Sequence, residues 1–310
     1  MIEVKNLTMS YGKHEVLKNI DFHIKENSVV GLLGENGAGK STTMNILTGY
    51  TKPVSGEVFI NGINMIKEPN KAKKAIGYLP EIPPLYKDMK VIEYLEFAAT
   101  LKKVKKPVEE TARVMRMFDL SDYKYDYIKN LSKGWQQKVG FAQCMIDNPK
   151  VLILDEPLVG LDPTQSRSTR NIIKELAMDH TIIISSHILK ELEELCNDIL
   201  ILKDGNIVMN DSVKAAKRRG RNNVYKLTLK GDKDVLLNML ENYSILSRVE
   251  FLKEQEDGVY QFGVETNQSR DVRDSLFGFL VGKKVSVYGI EKYENTLEDI
   301  FMEINSKEEK

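Results

Sequence analysis

Apolar and polar positions alternate along the first two thirds of the chain in two different periods. Residues 2–10 (IEVKNLTMS) read as a strand, and 28–33 (SVVGLL) form a continuous apolar run that predicts a buried strand ending in glycines. A helix is predicted from near Gly39 to just before Gly49, a hairpin segment at 56–62 (GEVFING), and a strand at 75–79. Residues 90–147 are mostly helical in pattern, with Val91, Tyr94, Leu95, Ala98 and Leu101 recurring on one face. Strands return at 151–154, 181–185 and 199–203 with helices between them, and KDGN at 203–206 is a hairpin turn. Strands alternating with helices predict an α/β unit with a mainly parallel sheet, carrying a helical insert at about 85–145.

The pattern changes past residue 220. Strand 224–230, helix 233–242, strands 247–255 and 258–265, helix 269–281 and strand 284–291 follow in turn, with a tight turn at 256–258. That βαββαβ order predicts a small α+β domain of ferredoxin-like type. A short amphipathic helix is expected at 296–304, with Leu297, Ile300 and Phe301 on one face. The expected organisation is therefore an α/β unit at 1–215, a basic linker at 216–222 (KRRGR at 217–221), an accessory domain at 223–293, and a C-terminal helix and tail at 294–310.

Composition sharpens this division. The chain has 310 residues, 42% hydrophobic and 29% charged, which suits two folded domains and excludes a disordered chain. All nine prolines lie between Pro53 and Pro163. Net charge is zero, yet it splits into −4 over 221–310 and +4 over the remainder. A balanced charge argues against a protein built to coat nucleic acid. Cys144 and Cys196 are too few for a disulfide framework or a zinc site and fit a reducing compartment. No apolar run approaches the roughly 18–20 residues of a membrane helix, and the N-terminus lacks the apolar core of a signal peptide.

Two segments carry chemistry. Residues 34–42 (Gly34, Glu35, Asn36, Gly37, Ala38, Gly39, Lys40, Ser41, Thr42) match G-x-x-x-x-G-K-[ST] between a strand and a helix. Glycines let the backbone turn tightly and aim N–H groups at phosphate oxygens, and the helix start adds unpaired amides and a favourable dipole. Lys40 adds a cation for the terminal phosphates, and Ser41 an oxygen for Mg²⁺. Residues 151–157 (VLILDEP) place two carboxylates at the C-terminal end of a buried strand, the ligand edge of a parallel sheet. Asp155 is expected to hold Mg²⁺, and Glu156 to orient or deprotonate the attacking water.

With these in place the chain resembles the ATPase subunits of ATP-binding cassette transporters, over about 1–215. Tyr11 precedes the first hairpin, IGYLPE at 76–81 occupies the Q-loop position, LSKGWQQ at 131–137 the signature, GLDP at 160–163 the D-loop, and SSH at 185–187 the switch histidine. The resemblance implies a P-loop cassette with a mainly parallel core sheet, an antiparallel β subdomain and a helical subdomain. It implies that Tyr11 stacks on adenine and His187 contacts the γ-phosphate. It also implies that Ser132, Lys133, Gly134 and Trp135, with Asp162, meet the nucleotide held by a second copy. ATP is then sandwiched in a dimer with Mg²⁺ on Ser41, Asp155 and Glu81.

Departures from that pattern are informative. Lys133 and Trp135 replace a glycine and a glutamine of the usual L-S-G-G-Q, and Glu81 replaces the Q-loop glutamine. Lys133 is expected to add positive charge near the opposite phosphate, and Glu81 to add negative charge beside Glu156. Both departures resemble variants of a bacterial exporter branch, the ABC-2 type. IPPLYK at 82–87 reads as a surface loop, where the family implies that a membrane partner docks. The expectation is an ATP-hydrolysing exporter subunit, cytoplasmic and peripheral on the inner face of the membrane, that drives separately encoded transmembrane subunits. An importer subunit, or a soluble cassette acting on nucleic acid or ribosomes, are the alternatives. The C-terminal domain is expected to be a dimerisation or docking surface, or else a site for a small regulatory molecule.

Overall fold

A computed structural model describes residues 1–219, 224–268, 270–293 and 295–306. The chain separates into two compact units, Met1–Val213 and Lys214–Lys310. In the first, β1 (Ile2–Tyr11) and β2 (His14–Ile24) form a hairpin across Gly12, whose φ of 62° suits a residue without a side chain. After β3 (Val29–Gly34) and α1 (Lys40–Leu47), β4 (Ser55–Ile60) and β5 (Ile63–Asn64) complete an antiparallel sheet of order β2-β1-β4-β5. A short α2 (Pro69–Ala72) leads into β6 (Ile76–Leu79).

The helical insert contains α3 (Val91–Leu101), α4 (Pro107–Met117) and α5 (Lys133–Cys144). Each start is legible: Glu93 reaches back to the Lys90 amide at 3.0 Å, Pro107 opens α4, and Ser132 caps α5. The stretch between α4 and α5 is not continuous helix but two single turns, Ser121–Tyr123 and Ile128–Asn130. The core resumes with β7 (Val151–Asp155), α6 (Pro163–Leu176), β8 (Thr181–Ser185), α7 (Leu189–Leu195), β9 (Asp198–Lys203) and β10 (Asn206–Ser212). The central sheet runs β10-β9-β3-β8-β7-β6, parallel except for the β10 edge.

One hydrophobic core joins the two sheets. Ile2, Leu17, Val58 and Ile60 of the antiparallel sheet pack with Met44 and Leu47 of α1 and with Ile153 and Leu200 of the parallel sheet. Each such buried side chain contributes about 1.5–3 kcal/mol, so α1 and the loop before it are clamped from both sides.

In the second unit, β11 (Val224–Lys230), β12 (Leu246–Glu256), β13 (Val259–Thr266) and β14 (Ser286–Lys292) form an antiparallel sheet ordered β12-β13-β11-β14. Helices α9 (Lys233–Glu241) and α10 (Arg273–Gly282) bury Leu236, Leu240, Leu276 and Leu280 against Tyr225, Leu227, Leu229, Phe262 and Val264 of that sheet. Two boundaries differ from the sequence reading. Residues 213–219, which include the first part of the expected linker, form a helix, α8 (Val213–Arg219), because helix-forming residues there are anchored by the fully buried Ala216. Residues 220–222 of that linker, and the tail at 307–310, lie outside the described residues. Helix α10 starts at Arg273, not 269, because the Asp271 side chain accepts the Arg273 amide and turns the chain just before it. The last helix, α11, spans Leu297–Ser306.

Candidate functional site

Four chemistry-bearing segments leave the carboxyl ends of four adjacent parallel strands. In sheet order these are the glycine loop after β3, Ser185–His187 at the end of β8, Asp155–Glu156 at the end of β7, and Glu81 beyond β6. Only the crossover topology makes them neighbours, since they are up to about a hundred and fifty residues apart along the chain.

Gly39 ends the glycine loop at φ 107°, and a Cβ there would lie 2.6 Å from Leu17 Cδ2. Strand β2 therefore presses on the loop and fixes where its amides point. Glu35, Asn36 and Gly37 are exposed, and Ala38 and Gly39 are buried. Lys40 Nζ donates to the carbonyls of Gly34 at 2.6 Å and Glu35 at 3.0 Å, so the ammonium lies folded over the loop's own backbone. Burial holds the Lys40 pKa below the usual lysine range, against the opposing charges of Glu156, Asp155 and Glu35. Ser41 is exposed and Thr42 half-buried at the head of α1, whereas the buried Thr43 hydroxyl donates to the Gly39 carbonyl at 2.9 Å.

Asp155 stands opposite Ser185 in the β7–β8 register. Ser185 Oγ donates to Asp155 Oδ1 at 2.5 Å and accepts the Glu156 amide at 3.1 Å. This hydroxyl, 1% exposed, joins the two acidic residues, a role that the SSH motif by itself does not reveal. A serine ending an apolar strand is a weak signal that only the register makes specific. Ser185→Ala leaves an acceptor and a donor without this partner. The expected result is a loss of about 1–3 kcal/mol in denaturant-measured stability together with slower turnover. Equal stability and activity in the variant would remove Ser185 from the site.

Glu156 adopts φ 50°, an uncommon conformation for a non-glycine residue, which swings its side chain out of strand register. Its Oε2 lies 2.8 Å from His187 Nδ1. Burial raises the Glu156 carboxyl above the ordinary glutamate range, and the His187 hydrogen bond opposes that while Asp155 and Glu81 reinforce it. A carboxyl raised in the folded state favours the folded state fully below the unfolded value, near 4.3, and that contribution is lost as pH rises through the folded value. Glu156→Gln should therefore raise the melting temperature relative to the parent at neutral pH, and the gap should shrink below about pH 4.3. Scanning calorimetry across pH reads this directly; a gap that widens on acidification contradicts it. Tyr78 on β6 is half-buried, and burial with the Asp155 charge pushes its phenol up to about 12.

The signature turn is built by packing. Ser132 Oγ accepts the Trp135 amide at 3.4 Å, and the Trp135 ring packs on Tyr123 with centroids 4.2 Å apart, beneath the buried Lys138 ammonium at 4.6 Å. The tryptophan ring thus anchors the first turn of α5 within this chain. Gly134 is buried with the Gln165 side chain directly against it, and Lys133 is exposed. Asp162 Oδ1 accepts the Gln165 amide at 2.8 Å and caps α6. The structure thus brings Ser132, Lys133, Gly134 and Asp162 together, although about thirty residues separate them. Tyr11, 51% exposed, closes the β1–β2 hairpin opposite His14 with its ring available for stacking. Glu81 is exposed, and its charge reaches Glu156.

The available donors suit Mg²⁺. They are the Ser41 hydroxyl and the Asp155 and Glu81 carboxylates, all hard oxygens of the kind that Mg²⁺ takes.

Comparison with known proteins agrees with this geometry. A protein-family model described as "ABC transporter" matches residues 17–159. The chain is 31% identical to the uncharacterized ABC transporter ATP-binding protein YxlF of Bacillus subtilis over 98% of this chain and 99% of that one. It is 29% identical to the bacitracin transport ATP-binding protein BcrA of Bacillus licheniformis over 98% and 97%. Among solved structures, a dimeric ATP-binding cassette in a post-hydrolysis state bound to ADP and Pi superposes with a TM-score of 0.63 at 26% identity, covering 68% of this chain and 98% of that one.

Proposed function

The chain belongs to the ATP-binding subunits of ABC transporters, and from that premise we propose that it drives an exporter whose transmembrane subunits are encoded separately. It is an ATPase with the P-loop cassette fold of that family. The observation that carries the reading is the alignment of the glycine loop, Ser185–His187, Asp155–Glu156 and Glu81 on one edge of the sheet. In the proposed mechanism, Lys40 leaves the Gly34 and Glu35 carbonyls, and with the loop amides of Gly34–Thr42 neutralises phosphate charge. Glu156, held by His187, accepts the proton of the attacking water, and His187 senses the γ-phosphate. Ser41 and Asp155, with Glu81, would hold Mg²⁺, which when bound spreads the charge developing on the transferred phosphoryl group.

A dimer completes each site in this reading. Ser132, Lys133, Gly134 and Asp162 of one copy meet the nucleotide on the other, whose adenine rests on Tyr11, whereas the Trp135 ring, turned inward on Tyr123, holds their turn from within the chain and corrects the expectation that it reaches the nucleotide. The related cassette that is dimeric with ADP and Pi supports this arrangement. Export is supported by the departures at Lys133, Trp135 and Glu81. A membrane partner is supported by an exposed apolar strip, Ile82 (79% exposed), Tyr86 (56%) and Phe97, with the two rings 5.7 Å apart. No described helix is long and apolar enough to cross a membrane. We place the chain peripherally on the cytoplasmic face, and we assign the cassette to 1–215. The C-terminal module is read as ferredoxin-like, supported by its strand order β12-β13-β11-β14, and as a dimerisation or docking surface.

Affinity capture from detergent-solubilised membranes tests the reading. Recovery of a partner with about six hydrophobic spans, each of the roughly 20 residues a membrane helix requires, is expected. Recovery of ribosomes or nucleic acid alone would overturn it. ATP-dependent movement of cargo into inverted vesicles would establish export, and movement out of them import.

A further inference from the structure

Lys133 has a contact that its charge does not explain. Its methylene stem lies across Gly160, in the turn after the acidic pair. A Cβ on Gly160 would stand 2.8 Å from Lys133 Cδ, 3.0 Å from Cε and 3.3 Å from Cγ. Gly160 also takes φ 75°, so the backbone conformation and the space both call for glycine there. A second contact runs parallel to the first: the Gln165 side chain, which closes the cap of α6, rests on Gly134. The Lys133 ammonium makes no hydrogen bond or ion pair with any described residue, which leaves the stem as its attachment within the chain.

The turn thus gripped is short. Glu156 to Gly160 is five residues, closed by the Val159 amide on the Glu156 carbonyl at 3.1 Å and by the buried Leu158. Glu156 sits at its upstream end in a positive-φ conformation, so its placement depends on what holds the turn below it. On the other side, Lys133 is the first residue of α5, and the Trp135 ring on Tyr123 fixes that first turn. The aliphatic chain of Lys133 lying on Gly160 is one place where the two elements meet.

We propose that Lys133 is a positioning residue for Glu156, acting through its methylene stem on Gly160, a role distinct from any effect of its charge on bound phosphate. Mechanically, the stem ties the signature turn to the loop that carries the water-activating carboxylate, so a shift of one moves the other. A glycine at 133, the usual occupant of this position in the family, lacks that tie. The inference rests on the assignment of Glu156 as base.

Steady-state kinetics of the full chain separate the possibilities. Lys133→Ala removes stem and charge together and should lower kcat about three- to tenfold, with KM for ATP within about twofold of that of Lys133→Met, which loses the same charge, the pattern of a misplaced reacting group. Lys133→Met restores a stem of similar length without charge and should recover most of that loss. Gly160→Ala should harm kcat more in the parent than in the Lys133→Ala background, because the new methyl then has no stem to meet. A Lys133→Met protein as slow as Lys133→Ala, or a Lys133→Ala protein with the parent kcat, overturns the proposal. Glu156→Gln run alongside distinguishes the two levels: persistent turnover there would strike the base assignment itself, whatever the Lys133 series gave.

Discussion

Glu156→Gln should bind ATP, form the closed dimer and hydrolyse ATP about a hundred- to ten-thousandfold more slowly than the parent, the range for loss of a positioned general base. The amide keeps the size and the hydrogen bond to His187 but cannot take a proton from water. Burial already raises the carboxyl, so its affinity for a proton is higher than that of an exposed glutamate, which suits a base. Removing the negative charge also relieves repulsion with Asp155 and Glu81 and with the incoming phosphates. Bound nucleotide should therefore be retained at least as well as in the parent. Two measurements decide it: single-turnover hydrolysis, and light scattering with and without Mg-ATP. Hydrolysis near the parent rate would move the role of base to another residue. A slow variant that stayed monomeric with ATP would leave the base in place and remove the sandwich.

The second large effect is expected at Gly39. Gly39→Ala adds a methyl at φ 107°, where an L-residue is strained by about 1–3 kcal/mol. The methyl would also lie 2.6 Å from Leu17 Cδ2, and Leu17 is fully buried in the core that clamps β2 to α1. Overpacking of this kind costs roughly 1–3 kcal/mol more. The combined penalty falls on the loop that must present its amides to phosphate, so nucleotide binding should fail and the melting temperature drop by several degrees or more, as a loss of about 2–6 kcal/mol implies for a domain of this size. Gly37→Ala is the internal comparison. Its φ is 86° but a Cβ there has nothing within 4 Å, so only the backbone strain applies and the stability loss should be the smaller of the two. Equal losses at both positions would mean that contact with β2 does not set the loop.

The P-loop and the acidic pair were legible because their chemistry is local. A phosphate loop needs its glycines, lysine and hydroxyl within nine residues between a strand and a helix, and a metal-and-base pair needs two carboxylates at one strand end. Helix starts rest on equally local chemistry: Ser132 and Asp162 accept amides one turn away, and Pro163 and Pro107 bring a preset φ to the first helical position. Most strand and helix positions followed from apolar periodicity, and the boundaries moved where a single side chain decided them, as at Asp271. Three groups could not be found that way. Ser185 matters because β7 and β8 align it with Asp155; Gly160 because the stem of Lys133 crosses it; and Gln165 because Gly134 lets it approach. In each case the meaningful partner lies between twenty-seven and thirty-one residues away.

The amino-acid sequence by itself determined the class of fold, the nucleotide chemistry and the identity of the charged groups, since these depend on residue type and short spacing. Tertiary structure alone decided which of those groups act together. The parallel crossovers set the order β3-β8-β7-β6, and that order places the phosphate loop, the histidine and the carboxylates on one edge. It also decided that Trp135 turns its ring inward to Tyr123 and that Lys133 lies along Gly160. Side-chain direction on a helix's first turn is settled by what packs against it, and those neighbours are brought there by the rest of the fold.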